Sequence, residues 1–596
     1  MGNWFPVPAF YAIIALLSLV GSASAQIENP QLGIVSGNYS GTTFDSITFV
    51  NDVVGARIFY NSGYFGESEV IANVEGGYIW DGHEVFDRTV FSGSNAVTTF
   101  VSDPSVTAEY DFHATMVGHV LAGAGHVTGT NGTDLSILGA GMAPFAELWS
   151  GAIATSFSSS DIGSFETTKE STLTPYKTFF RGGTSTAGRK ADVINSSWGG
   201  SDPAGTSTEI LTIDALAREN ASVAFVVAAG NSGTGTVSAP GSGYNGITVG
   251  SLGGTDFLTP SNFSSSGPTD FYNPATDQTI SGVRHSVDIS APGELMALAA
   301  YLGSTGSLRG TTYTQDPSPT DQYFLNEDGT SFATPIVAGG IGLLKDAAKG
   351  PAYAYGPEAF DTRVIKSVLM AGSRRTTGWN NGQTTGLDGV IRTTQALDIA
   401  AGAGALDLTG AAEVYFGIAQ DPLLSTRDVA GLGGGSITSA GWDYGAVSYD
   451  RTSGIGQSND YTFDTSFSTD IELTISLNWF AGRTIDVNDL GADLSFSNLN
   501  LELWLVVDGV FVREVAESAT IYDNTEFLRV DLTEAGTYGL RVTFLGLVYD
   551  LSPETTATEN YGLAWQSQTV PEPGTIALLV AALTFLIIRG RSLRVR

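Results

Sequence analysis

The stretch "NEDGTSFATPIVAGGIGLL", residues 326 to 344, decides how the rest of the chain is interpreted. A Gly-Thr turn leads into Ser331, and small and apolar residues then follow with the spacing of a buried helix. Pro335 is compatible with the first turn or so of that helix. A serine at a helix N-terminus either caps the helix or acts as a nucleophile whose backbone N–H helps to bind an oxyanion. The stretch lacks the last glycine of a G-x-S-x-G elbow, which disfavours an α/β-hydrolase.

Two further motifs carry side chains suited to the same chemistry. In "DFHATMVGHVLAG", His113 stands where the pattern predicts the start of a helix. In "FVVAAGNSG", a buried apolar strand is followed by Asn231, which is either a turn residue or a side-chain amide for an oxyanion. Together with Ser331, these residues can supply a nucleophile, a base and an oxyanion donor.

The stretch "IANVEGGYIWDG", residues 71 to 82, ends a buried strand in a carboxylate. Burying an unpaired charge is costly, so Glu75 is expected to have a partner. Asp81 is the other carboxylate of this stretch that could orient a histidine, but it lies past the end of the strand. A Glu can orient a histidine, because it only has to accept the Nδ1 proton and stabilise the imidazolium. A glutamate side chain is one methylene longer than an aspartate side chain, and we expect Gly76 and Gly77 to let the backbone sit further back to accommodate it.

These motifs resemble those of the subtilisin-like serine proteases, the subtilases. The order carboxylate, histidine, asparagine and serine along the chain is that family's order. Further segments that resemble the family are "GMAPFAEL", "VINSSWGG", "SNFSSSGP", "VDISAPG" and "GAGALDLTGAA". Two motifs depart from the family, since His-Ala-Thr-Met replaces the usual His-Gly-Thr-His and Glu-Gly-Gly replaces the usual Asp-Thr/Ser-Gly.

The resemblance implies a serine endopeptidase that hydrolyses peptide bonds through an acyl-enzyme, and the targeting segments described below imply that it is exported. Ser331 would attack the substrate, His113 would relay the proton and Glu75 would orient His113. Asn231 and the Ser331 N–H would bind the oxyanion. Two segments would hold the substrate. The first is Ser197, Trp198 and Gly199, and the second is Ala228, Ala229 and Gly230. Trp198 would enlarge an apolar wall.

The alternative is a catalytically inactive, subtilase-like surface binding protein. It is suggested by the Glu in place of the usual Asp. It is also suggested by the short stretch between Glu75 and Ala25, the last residue of a predicted signal peptide, because the family commonly has a folding propeptide there. Reaction with an active-serine probe would separate the two hypotheses.

The composition limits partners and cofactors. The chain has 596 residues, and 27 Lys and Arg against 61 Asp and Glu give a net charge of −34, which repels nucleic acid. It has no cysteine, which excludes a thiol nucleophile, a thiolate zinc site and disulfides. The predicted reaction requires no cofactor. Structural calcium is possible because the chain is acidic, although no EF-hand loop is present.

Both ends of the chain look like targeting segments. "FYAIIALLSLVGSASA" fits a secretory signal that is cleaved after Ala25. Residues 570 to 596 contain Pro-Glu-Pro, a short apolar span and a basic end. This tail resembles the PEP-CTERM sorting signal of Gram-negative bacteria. The resemblance implies an exosortase-type sorting enzyme as a partner, membrane contact through the tail, and a location in the cell envelope or outside the cell.

The alternation of short apolar runs with helical stretches predicts an α/β fold with a mostly parallel sheet and helices on both faces, as in subtilisin. Farther on, Leu499, Leu501, Leu503 and Leu505 recur with a period of two, and Asp508-Gly509 is a hairpin signal, which together predict a β-sandwich. The predicted domains are a signal peptide (1–25), an N-terminal extension (26–66), a subtilisin-like peptidase domain (67–415), a β-sandwich (416–565) and a sorting tail with a transmembrane segment (566–596).

Overall fold

The computed structural model describes residues 33–38, 40, 47–88, 97–124, 139–158, 163–235, 237–301, 307–308, 311–312, 323–351, 353, 355–416 and 434–569. The predicted signal peptide and the sorting tail beyond residue 569 lie outside the described residues. Within these ranges no helix is long and apolar enough to cross a membrane. The signal peptide, the PEP-CTERM signal and the transmembrane segment stay predictions.

An eight-stranded sheet forms the centre of the N-terminal part. Its neighbouring strands run parallel, except for the short Thr259–Pro260 strand at one end. Parallel sheets are covered on both faces, so their strands are almost continuously apolar. This agrees with the predicted fold class. The strands are Val70–Glu75, Val97–Ser102, Glu147–Ala152, Val193–Ser196, Ala224–Ala228, Ile247–Gly253, Thr259–Pro260 and Ile289–Pro292.

Helices cover both faces of this sheet. One face packs against Phe112–Ala122 and Thr330–Lys349, and the other packs against Lys169–Arg181 and Thr208–Glu219. The α-helices of the described residues are Val50–Val53, Arg57–Asn61, Phe112–Ala122, Lys169–Arg181, Thr208–Glu219, Thr330–Lys349, Thr362–Ala371 and Leu408–Phe416.

The parity of the strand residues decides which side chains face the first pair of helices. Successive side chains of a strand point to opposite faces. Ile71 packs among the residues of the Phe112–Ala122 and Thr330–Lys349 helices, whereas Val70, Ala72 and Val74 pack on the opposite face. Glu75 lies four residues after Ile71, so its side chain is on the same face of the sheet as that of Ile71. It therefore points toward the two helices that carry His113 and Ser331.

Part of the predicted N-terminal extension belongs to this core. Val35–Ser36 pairs with Met296–Ala299, and Ile34, Val50 and Phe59 pack in the same apolar core as the main helices. The four-stranded sheet that results consists of Tyr323–Glu327, Met296–Ala299, Val35–Ser36 and Thr48–Phe49. The α/β unit therefore begins before residue 67, where the sequence placed its boundary.

The C-terminal part is rich in strands, as predicted, and its two sheets face each other across one apolar core. The first sheet comprises Thr384–Thr385, Ile391–Thr393, Gly434–Ile437, Ser458–Phe467, Gly482–Ile485, Gly491–Val507, Val510–Ser518 and Gly536–Asp550. The second comprises Ala440–Asp450, Ile455–Gly456, Ile471–Trp479, Thr525–Asp531 and Thr556–Thr569. The hairpin at residues 384–393, which the sequence assigned to the peptidase domain, thus extends a sandwich sheet.

The alternation that predicted the sandwich corresponds to its core. Leu499, Leu501 and Leu503 are fully buried between the sheets, and Leu505 packs at the margin of the core. At the tip of the hairpin, residues 508 and 509 have φ angles of +51° and +77°. The two-residue type I′ hairpin turn requires a positive φ at both central residues, and Asp-Gly satisfies this requirement.

The sandwich is joined to the α/β unit by buried polar contacts. His285 of the α/β unit lies 3.0 Å from a carboxylate oxygen of Asp523 in the sandwich and 3.5 Å from one of Asp288 in its own unit. Lys366 forms an ion pair with Asp288 at 2.8 Å. Because His285 is only 5% exposed, its charge depends on these two carboxylates for compensation.

Candidate active site

Three predicted site segments meet at one edge of the parallel sheet. The Val70–Glu75, Val193–Ser196 and Ala224–Ala228 strands are neighbours and all run in the same direction. Their carboxyl ends therefore lie side by side, which is where open α/β sheets place their sites. Glu75 ends the first strand, Ser197 directly follows the second, and Asn231 follows the third.

His113 reaches this edge from the start of the Phe112–Ala122 helix. Asp111 caps that helix, since its side chain accepts a hydrogen bond from Ala114 N at 3.3 Å. The cap fixes His113 in the first helical turn. His113 Nδ1 then lies 3.2 Å from Glu75 Oε2, within hydrogen-bonding distance. The rival carboxylate, Asp81, lies in the turn after the strand.

The Glu75 carboxylate is held at both oxygens. Oε2 faces His113, and Oε1 accepts a hydrogen bond from Ser197 N at 3.0 Å. A Cβ on Gly76 would lie 2.9 Å from the Phe165 ring, and one on Gly77 would lie 2.6 Å from the Glu109 carbonyl oxygen. The two glycines are therefore needed because other segments pack closely on the end of the strand. This is a different reason from the set-back of the backbone that the sequence suggested.

The pKa values of the pair follow from burial and from nearby charge. Burial raises the pKa of the 1% exposed Glu75, and the attraction of His113 acts against that rise. Burial lowers the pKa of His113, but the carboxylates of Glu75, Asp111 and Glu327 outweigh it, so the net pKa is raised. The carboxylates thus stabilise positive charge on His113, which develops when a histidine takes a proton from a nucleophile.

Ser331 is the second residue of the Thr330–Lys349 helix. The first four N–H groups of a helix have no acceptor within it, so the N–H of Ser331 is suited to bind an anion. Ser331 Oγ donates a hydrogen bond to Ser197 O at 3.1 Å. Pro335 is the sixth residue of the helix, beyond the first turn in which the sequence placed it, and the helix continues through it.

Asn231 is an exposed residue whose amide orientation is fixed by the start of the same helix. Its Oδ1 accepts hydrogen bonds from Thr330 N and from Thr330 Oγ1, each at 2.9 Å. Because both donors contact the oxygen, the Nδ2 end of the amide points away from Thr330. The arrangement gives an N–H donor at each of Asn231 and Ser331.

The predicted substrate segments have distinct surroundings. Ser197 uses its N–H, hydroxyl and carbonyl within the protein, with Glu75 and Ser331 as partners. Trp198 is half-buried, its Nε1 donates to Tyr176 Oη at 3.0 Å, and its ring centroid lies 6.5 Å from that of Phe165. Phe165, which belongs to the strand pair Ser156–Phe157 and Phe165–Glu166, therefore lies beside the Trp198 ring. The apolar substrate wall stays a prediction.

Ser238 explains why glycine occupies two of the predicted substrate positions. A Cβ on Gly199 would lie 2.7 Å from Ser238 Cβ, and one on Gly230 would lie 2.5 Å from Ser238 Oγ. Gly230 also has a φ of +107°, which favours glycine. The remaining predicted positions, Ala228 and Ala229, are buried at the end of their strand.

No cluster of three or more histidine, aspartate or glutamate side chains suited to a metal ion occurs within the described part of the chain. Structural calcium stays a prediction.

Sequence reasoning missed several residues that hold the site. Asp111 could have been recognised, because an Asp directly before a predicted helix is a capping signal. The contacts of Ser197, Thr330 and Glu327 depend on how distant segments meet and leave no local signal. Pro335 is a local signal for such a contact, since a proline four residues after Ser331 deprives the Ser331 carbonyl of its helical donor.

Comparison with known proteins gives a family match for the α/β unit. The model described as "Subtilase family" matches residues 57–389, more than half of the chain. No curated protein matches the chain.

Solved structures similar to this chain include three proteases. The prenylagaramide maturation protease PagA is 20% identical, with 60% of this chain and 98% of that chain covered and a TM-score of 0.40. A mutant of the protease domain of PatA is 20% identical, with 59% and 97% covered and a TM-score of 0.39. A serine protease of Aeromonas sobria is 16% identical, with 85% and 89% covered and a TM-score of 0.42. TM-scores this low add no argument, so the family assignment rests on the family model.

Proposed function

The chain belongs to the subtilase family of serine peptidases, and from that premise we propose that it is an exported endopeptidase with a Glu75–His113–Ser331 triad. The observation that carries the proposal is the 3.2 Å contact between Glu75 Oε2 and His113 Nδ1. Orienting a catalytic histidine explains why a carboxylate is buried at the end of this strand. Protein and peptide chains are the corresponding substrates.

The proposed reaction uses each residue for one task. The Ser331 hydroxyl turns from Ser197 O toward His113, loses its proton to Nε2 and attacks the substrate carbonyl. Glu75 keeps Nδ1 protonated and stabilises the imidazolium. Asn231 Nδ2 and the Ser331 N–H bind the oxyanion. His113 then gives its proton to the leaving amine, and water, activated by His113, hydrolyses the acyl-enzyme and restores Ser331.

The substrate segments support a preference for apolar side chains. We expect Trp198 and Phe165 to form one wall of the subsite for the acyl half of the substrate. The small residues Gly199, Gly230 and Ala229 leave room for the substrate backbone to approach.

Peptide hydrolysis by the wild type and by Ser331→Ala tests this function. We expect the wild type to cleave a protein such as casein at internal bonds, and the variant to be folded and inactive. A folded wild type that cleaves neither casein nor a diverse peptide library would contradict the endopeptidase and support the inactive surface binding protein.

Export and anchoring are part of the proposal and are supported by the sequence pattern of the two ends. We propose that an exosortase-type enzyme recognises residues 570–596 and that the tail contacts the membrane of a Gram-negative cell envelope. The net charge of −34 argues against nucleic acid as a partner.

A further inference from the structure

Pro335 deprives the carbonyl of Ser331 of its regular donor, the N–H four residues later in the same helix. In an α-helix the N–H of each residue donates to the carbonyl four residues earlier, and proline has no N–H. Pro335 follows Ser331 by four residues in the Thr330–Lys349 helix. Ser331 is only 7% exposed, and a buried carbonyl without a donor is destabilising.

Ser197 supplies the missing donor. Its Oγ donates to Ser331 O at 3.0 Å, and the residue is 5% exposed. The same Oγ accepts from Asn195 Nδ2 at 3.2 Å, which fixes the direction in which the hydroxyl proton points. Asn195 is fully buried and also donates to Asn73 Oδ1 at 2.9 Å. Hydrogen bonds thus connect the Ser331 backbone to two strands of the sheet.

The backbone of Ser197 contacts the same site at two further atoms. Its N–H donates to Glu75 Oε1 at 3.0 Å, and its carbonyl accepts from Ser331 Oγ at 3.1 Å. Ser197 therefore fixes the distance between the carboxylate and the nucleophile. His113, which lies against Glu75, is placed relative to Ser331 by the same contacts.

We propose that the Ser197 hydroxyl is a positioning group that replaces the helical hydrogen bond removed by Pro335. The inference rests on the proposed function, because it assumes that Ser331 is the nucleophile. A displacement of about 1 Å at a catalytic group can cost about 10² in rate. We therefore expect Ser197→Ala to lower kcat by about 10- to 100-fold and to change KM by less than about threefold.

A double-mutant cycle between Ser197→Ala and Pro335→Ala tests the proposal. Alanine at 335 restores an N–H that can donate to Ser331 O, so the Ser197 hydroxyl becomes less necessary. We expect the loss in kcat caused by Ser197→Ala to be at least about tenfold smaller in the Pro335→Ala protein. Ser197→Thr keeps the hydroxyl and should retain kcat within about threefold. Equal losses in both backgrounds would overturn the proposal.

Ser367 provides the matched control. It is fully buried, its Oγ donates to Gly562 O at 2.8 Å, and it accepts from Asn478 Nδ2 at 2.8 Å. Ser367→Ala therefore removes one donated and one accepted hydrogen bond, as Ser197→Ala does, but at a position away from the site. We expect it to lower Tm while kcat per titrated active site stays unchanged. If Ser197→Ala behaves in the same way, Ser197 is only structural and the proposal fails.

The outcomes separate this inference from the proposed function. If the folded wild type does not hydrolyse peptides, both the proposed function and the inference about Ser197 fail. An active wild type with equal losses in the two backgrounds removes this inference alone. If Ser197→Ala does not fold, Ser197→Cys, whose thiol is only a weak donor, takes its place with the same expectations.

Discussion

Glu75→Gln is expected to lower turnover severely, and the hydrogen bonds around residue 75 give the reason. One carboxylate oxygen accepts from Ser197 N at 3.0 Å, and the other lies 3.2 Å from His113 Nδ1. A glutamine has one oxygen and one NH₂ group. Because Ser197 N–H can only donate, the amide oxygen must face Ser197 and the NH₂ group must face His113.

That orientation gives His113 the wrong tautomer. The glutamine NH₂ donates to Nδ1, so Nδ1 loses its proton and Nε2 carries one. An imidazole protonated at Nε2 cannot accept the Ser331 proton. The corresponding change in a triad with aspartate costs about 10⁴ in turnover, or about 5 kcal/mol of activation free energy. We expect a loss of that order in kcat and little change in KM.

Glu75→Asp should be less harmful, although it cannot restore full activity. It keeps the charge but shortens the side chain by one carbon–carbon bond, roughly 1.5 Å. The end of the strand cannot move to compensate, because Phe165 packs against Gly76 and the Glu109 carbonyl packs against Gly77. The contact with His113 then exceeds hydrogen-bonding distance. We expect a loss of roughly 10- to 100-fold in kcat.

Steady-state kinetics on a fluorogenic peptide, with NMR of the imidazole nitrogens of His113, would measure these effects. Asp81→Asn is the matched control, since it neutralises the other carboxylate of the same stretch. We expect it to stay within about twofold of the wild type. The reasoning is refuted if Asp81→Asn is crippling and Glu75→Gln is mild.

Three further expectations concern other parts of the chain. Asn231→Ala should lower kcat by about 10²–10³ with little change in KM, and an unchanged kcat would make Asn231 a turn residue only. Burial lowers the pKa of His285, but Asp523 and Asp288 outweigh it and raise the pKa from 6.5 to about 9. The free energy of unfolding should therefore fall as pH rises from about 6.5 through about 9, and urea unfolding of His285→Gln should lack that fall; a wild type with constant stability over this window would contradict the assignment. Deleting residues 570–596 should release the protein from the cell-envelope fraction, and a truncated form that stays bound would place the anchor elsewhere.

The fold and the centre of the site could be predicted where the signal was local. The period-two leucines and Asp508-Gly509 gave the sandwich core and its hairpin because side-chain alternation and turn geometry are properties of short segments. A buried carboxylate at the end of a strand needs a partner, and the resemblance of the motif order to that of the subtilases identified His113 as the partner of Glu75.

The remaining features depend on contacts between distant segments. Val35 pairs with Ala297, and Ile391 pairs with Ala516, so neither domain boundary could be located from local pattern. The hydrogen bond between Ser197 and Ser331 also joins residues far apart in the sequence. The proline that makes this bond necessary is visible in the sequence, but the residue that provides the donor is not.

The most direct test of the central claim is to locate the nucleophile chemically. A serine-directed fluorophosphonate is incubated with the wild type, Ser331→Ala and Glu75→Gln, and the adduct is mapped by peptide mass spectrometry. The proposed triad predicts one adduct on Ser331 in the wild type, no adduct in Ser331→Ala, and much slower labelling of Glu75→Gln. An adduct on a different serine, or labelling of Ser331→Ala as fast as the wild type, would contradict it.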